Sequence, residues 1–102
     1  MNPQDTYLRA ILATVARQTF PPDKIAEIMG PNSGVKQYNA FNLCDGTRTQ
    51  GEIARETGLD PGNFSKSLGR WVDAGIIIKV SDGREARPVH VYPLPDSYLK
   101  KA

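Results

Sequence analysis

The chain has 102 residues, 39% of them hydrophobic and 24% charged, which suits one small folded domain with a modest core and excludes disorder. Thirteen Lys and Arg against eleven Asp and Glu leave a net charge of +2, with nine basic and seven acidic residues from Arg48 onward; such a balance argues only faintly for nucleic acid. A single cysteine excludes an intramolecular disulfide and makes a cytoplasmic location the expectation.

The N-terminus MNPQDTYLRA lacks a basic start followed by an apolar core, so no signal peptide is expected. Thr6–Thr19 has the periodicity of an amphipathic helix, with Leu8, Ile11, Leu12 and Val15 on one stripe. Pro21 disfavours a helical Phe20 and ends it. Asp23–Met29 can form a short second helix, with Ile25 and Ile28 inward, before the loop of residues 30–34. Residues 1–34 thus form a helical extension. Leu8, Ile11, Leu12 and Val15 are its candidate dimerisation residues; the alternative is that this helix only extends the core. Gln37–Cys44 reads as the next helix, with Tyr38, Phe41 and Cys44 inward. Asp45-Gly46 turns the chain, and Thr47-Arg48 is expected as a very short strand pairing with a later hairpin.

The next stretch is the best specified. Thr49 and Glu52 have capping-box spacing, so a helix should start at Gln50 with Ile53 and Ala54 inward. Gly58 stands where a positive φ is wanted, and Leu59 plugs the corner. Asp60 is an N-cap and Pro61 suits the first position of a second helix. Phe64, Leu68 and Trp71 or Val72 recur as its buried stripe, which leaves Gly62, Asn63, Ser65, Lys66, Gly69 and Arg70 on the other face. Small residues let a helix sit deep in a groove, Asn pairs with adenine edges, and Lys or Arg pairs with guanine or phosphate. Gly75 ends the helix.

After Gly75 comes a β-branched run, Ile76-Ile77-Ile78 and Val80. Ser81-Asp82-Gly83-Arg84 is a hairpin turn. Val89, Val91 and Tyr92 are expected as the returning strand, alternating with Pro88 and His90. Arg84 at the tip and Arg87 behind it are placed to meet a minor groove or a phosphate. The fold class is therefore mainly α with a small β-hairpin wing: a winged helix-turn-helix over 35–95, with a tail over 96–102.

EIARETGLD, the spacing Phe64-Ser65…Leu68, and WVDAGII leading into the hairpin carry a resemblance to winged helix-turn-helix transcription regulators of the ArsR and MarR type. It spans roughly 35–94. The resemblance implies sequence-specific binding of double-stranded DNA as a two-fold dimer. By position it carries the base-reading role to Asn63, Ser65, Lys66, Ser67 and Arg70. Thr49 and Gln50, at the start of the first motif helix, complete the DNA-binding set together with Arg84 and Arg87. The arsenic-repressor type often has paired cysteines at the start of the first motif helix; here Thr49 and Gly51 stand there, so metal sensing is not expected. There is little length for the long terminal helices of the multiple-antibiotic-resistance type.

No phosphate loop, metal-ligand cluster or nucleophile motif points to an enzyme, and no cofactor is expected. Cys44 lies on a core stripe with no basic neighbour to activate it. His90 has no partner at ligand spacing. The longest apolar run, residues 74–78, is far too short to span a membrane. Two functions follow. One is a small dimeric DNA-binding regulator, a repressor in the simplest case. The other is a winged helix used for protein contact, or as an accessory subunit of a larger nucleic-acid machine.

Overall fold

The computed structural model describes residues 3–30, 34–81 and 86–99. In chain order these form α1 (Pro3–Thr19), α2 (Pro22–Met29), α3 (Val35–Leu43), α4 (Gln50–Thr57), α5 (Pro61–Asp73), the antiparallel pair β1 (Ile77–Ser81) and β2 (Ala86–His90), and a final turn α6 (Asp96–Leu99). The order is that of a winged helix-turn-helix with a helical N-terminal extension. No helix of the described residues is long and apolar enough to cross a membrane.

The two motif helices are set by their ends. The Thr49 hydroxyl accepts from the Glu52 N–H at 3.3 Å, and the Glu52 carboxylate accepts from the Thr49 N–H at 2.9 Å. Two donors that α4 would otherwise leave open are thereby satisfied. At the corner Gly58 takes φ 73°, a conformation that costs any residue with a Cβ about 1–2 kcal/mol. The Asp60 carboxylate then accepts from the Asn63 N–H at 2.9 Å and opens α5, with Pro61 at its first position.

One core runs through the molecule. Ile53 and Ala54 of α4 and Phe64, Leu68 and Trp71 of α5 meet Ala40, Phe41 and Cys44 at α3, with Ile76 and Ile77 closing it from the hairpin side. Ile25 and Met29 of α2 and Ala16 of α1 belong to the same cluster. The Trp71 ring meets Phe41 and Phe64 edge-on, at centroid distances of 5.8 and 6.0 Å, the arrangement the aromatic quadrupole favours. The tail is tied back as well: the Tyr98 hydroxyl donates to Asp23, and its ring meets Tyr38 edge-on.

The hairpin corrects two sequence expectations. Thr47-Arg48 is not a strand. The third stretch beside the wing is Cys44–Gly46: Asp45 bridges to Val89, Cys44 O accepts from His90 N at 2.7 Å, and Gly46 N donates to Pro88 O at 3.1 Å. Thr47 is instead drawn into a turn on the Asp45 carboxylate, and Arg48 pairs with Asp45 and Glu56. The returning strand also lies earlier than expected, over Ala86–His90, and Val91 and Tyr92 are buried just beyond it. Its inward residues are Pro88 and His90, while Val89 is only half-buried. A proline is tolerated there because Pro88 has the same orientation as His90, whose N–H points to Cys44 and not to β1. The missing donor therefore costs no bond between the two strands. The Asp82-Gly83 turn and Arg84 lie outside the described residues.

The α1 stripe is the third correction. Leu12 is turned further inward than Leu8, Ile11 and Val15. It packs on the core beside Ala13 and Ala16, while Tyr7, Leu8, Ile11 and Val15 are exposed. At 100° per residue, 7, 11 and 15 form an exposed ridge and 8, 12 and 16 the next, which turns inward along its length from the exposed Leu8 to the buried Ala16. The small Ala13 and Ala16, which carry little hydrophobic signal, decide which ridge faces the protein.

Candidate nucleic-acid interface

The exposed side of α5 is built by its buried side. Phe64, Ser67, Leu68 and Trp71 are buried at helical spacing, which turns Asn63, Ser65, Lys66 and Arg70 to solvent. Ser67 therefore departs from the expected base-reading set. It is 6% exposed, on the core ridge at i+3 from Phe64, and its hydroxyl accepts from Arg70 Nη2 at 3.3 Å. The hydroxyl in that place is turned to Arg70 and away from solvent. Gly62 and Gly69 keep the outer face low, and nothing lies within 4 Å of a Cβ built at Gly69.

Beside this face runs a groove of about 580 Å³ lined by Thr49, Gln50, Gly51 and Arg55 of the α4 start, Pro61 of the α5 start, and Ala86 at the wing. Thr49 and Gln50 are half-buried there. The Glu52 carboxyl is held below its usual range, first by the backbone N–H of Thr49, then by the Thr49 side chain, with Arg55 and Arg87 adding to the effect. Arg55 lines the groove at this helix start. Arg87 is half-buried opposite Val80, and its Nε has no hydrogen-bond partner among the described residues. Arg55 escaped the sequence reading. Its signal was there, because Arg55 follows Gly51 by four residues and so shares that face of α4. Lys79 was missed too; it is exposed on β1.

Two titratable groups behind the interface are part of the frame. His90 Nδ1 lies 2.9 Å from the Phe41 carbonyl, and its ring stacks on Phe41 at 5.5 Å. A carbonyl can only accept, so Nδ1 carries the hydrogen. Burial lowers the pKa of His90 below its ordinary value and outweighs the Phe41 bond; Arg9 lowers it further and Asp45 opposes. The Cys44 thiol, pushed up to about 12 chiefly by burial, lies 3.2 Å from Ala40 O and is not a reactive thiolate.

A helix-turn-helix with a capped second helix, a polar outer face and a hairpin beside it defines the class of winged helix-turn-helix proteins. Residues 40–88, from the middle of α3 to β2, match the model of the MarR family, and over that stretch the winged helix-turn-helix is similar to those of the family. MarR-family domains are those of DNA-binding transcription regulators. No curated protein and no solved structure gives a significant match to the chain.

Proposed function

We propose that the protein is a sequence-specific binder of double-stranded DNA that acts as a cytoplasmic homodimeric regulator, in the simplest case a repressor. Residues 35–95 serve as the DNA-binding domain, residues 1–34 as the dimerising extension and residues 96–102 as the tail. The observation that carries the reading is the joint exposure of Asn63, Ser65, Lys66 and Arg70 on one face of α5. Asn63 and Arg70 are assigned to base edges, with Ser65 and Lys66 to bases or the adjoining phosphates. Thr49 and Gln50 are assigned to the backbone beside the groove, and Arg87 to a phosphate at the rim of the wing face it shares with Val80. Arg84 completes the set at the wing. Leu8, Ile11 and Val15 supply the dimer contacts; Leu12 supports them from beneath.

A chain of net charge +2 gains from presenting each cation twice, since every neutralised phosphate adds to affinity through counterion release. Binding to duplex DNA is therefore expected to weaken steeply with salt. With about six phosphates met by a dimer, log K falls against log salt with a slope near −5. Fluorescence anisotropy at several salt concentrations measures it. A flat response contradicts the DNA reading and favours the protein-contact alternative.

A further inference from the structure

The exposed apolar surface does not stop at α1. On the outer face of the wing, Ile78 and Val80 are 45% and 53% exposed. They are joined to α1 by a groove of about 460 Å³ whose walls include Leu8, Leu12, Ile78, Val80 and Val89. We infer that the dimer interface extends from α1 across this groove onto β1, so that the partner copy covers Ile78 and Val80 as well as Leu8 and Ile11. The inference rests on the homodimer reading above and specifies its surface.

Three observations select a second copy as the occupant. The first is area. Tyr7, Leu8, Ile11 and Val15 leave on the order of 500 Å² in solvent by their fractional exposures, short of the ~800 Å² each partner gives to a stable interface. With Ile78 and Val80 the patch reaches about 700 Å², near that size and above what monomers usually expose. The second is charge. The groove carries Arg9 and Asp45, with Arg9 Nη1 lying 3.4 Å from Asp45 O, and Arg87, paired with Val80, adds a half-buried cation at the rim of the same face. A two-fold axis sets a patch against itself, and a patch of mixed sign can be so placed without the repulsion a single-sign patch would meet. The third is strand position. β2 has β1 on one side and Cys44–Gly46 on the other, so β1 is the edge of the wing. An apolar edge left open is an aggregation site, and covering it by the partner removes that hazard. Ile78 and Val80 are unsuited to phosphates, which leaves the exposed Lys79, on the opposite face of β1, for solvent or DNA.

The test is sedimentation equilibrium on the full chain and two variants. Ile11→Glu/Val15→Glu places charge on the α1 ridge and is expected to give monomer. Ile78→Thr/Val80→Thr keeps the β-branched shape at two exposed positions and is expected to raise the dimer Kd at least tenfold with the circular dichroism spectrum unchanged. If that double variant does not fold, Val80→Thr alone is read on the same scale, with a threefold rise expected. A dimer that the α1 variant dissociates but the wing variants leave intact overturns the inference and spares the homodimer reading. A wild-type monomer at micromolar concentration, or a dimer indifferent to the α1 variant, overturns both.

Discussion

Replacing Lys66 and Arg70 together by alanine is expected to weaken duplex binding on the order of a thousandfold while the melting temperature stays within about 2 °C. Both side chains are exposed on α5, and Arg70 donates to the Ser67 hydroxyl. A contact to a base or phosphate typically contributes ~1–3 kcal/mol, and a two-fold dimer presents each side chain twice, so even the lower figure gives about 4 kcal/mol over four positions. Stability is a separate matter. Neither residue is in the core, and surface changes of this kind move stability by roughly 0.5 kcal/mol or less. The two effects are separated by titrating a duplex with each variant and recording thermal melts on the same samples. The single changes add a finer expectation. Lys66→Ala should weaken all sequences about equally, whereas Arg70→Ala should also relax preference at one base pair. Binding that survives the double change means α5 does not face DNA.

The second large effect concerns the frame. Phe41→Ala is expected to cost about 3–5 kcal/mol, the range for truncating a buried aromatic, and to lower the melting temperature by about 20 °C. Phe41 is fully buried and touches both halves of the molecule. Its ring meets Trp71 of α5 at 5.8 Å and stacks on His90 of β2 at 5.5 Å. Its removal thus opens a cavity where the recognition helix and the wing are held in relative position. Domains of this size carry only about 5–15 kcal/mol in total, so the variant should be partly unfolded at 37 °C. Denaturant titration followed by Trp71 fluorescence reads the loss. A loss below 1 kcal/mol would mean that Phe41 is not the link between α5 and the wing.

Elements encoded by neighbouring residues were legible in the sequence, and elements decided by distant ones were not. The Thr49–Glu52 box, the Gly58 corner and the Asp60-Pro61 start each act within four residues, and each appears where the sequence put it. The buried stripe of α5 was read from Phe64, Leu68 and Trp71. Ser67 was misread because its polarity was weighed above its position, though i+3 from Phe64 lies on the same ridge. β2 was misplaced for a related reason. Val89, Val91 and Tyr92 have strand propensity, but pairing with Cys44–Gly46, more than forty residues earlier, decides which side of the strand is buried. The inward proline cannot be foreseen without that partner. On α1 the error was one of facing. The large apolar residues were grouped together, and the two alanines that approach the core split the group.

The interface residues were named from residue type and helical facing, which identify a surface but not what it meets. The central claim, a two-fold reader of duplex sequence, is tested most directly by selecting binders from random duplex DNA with the purified protein. An enriched inverted repeat is expected, its half-sites about one helical turn, 10–10.5 base pairs, or a multiple of it apart. A pool that stays random after repeated selection contradicts it.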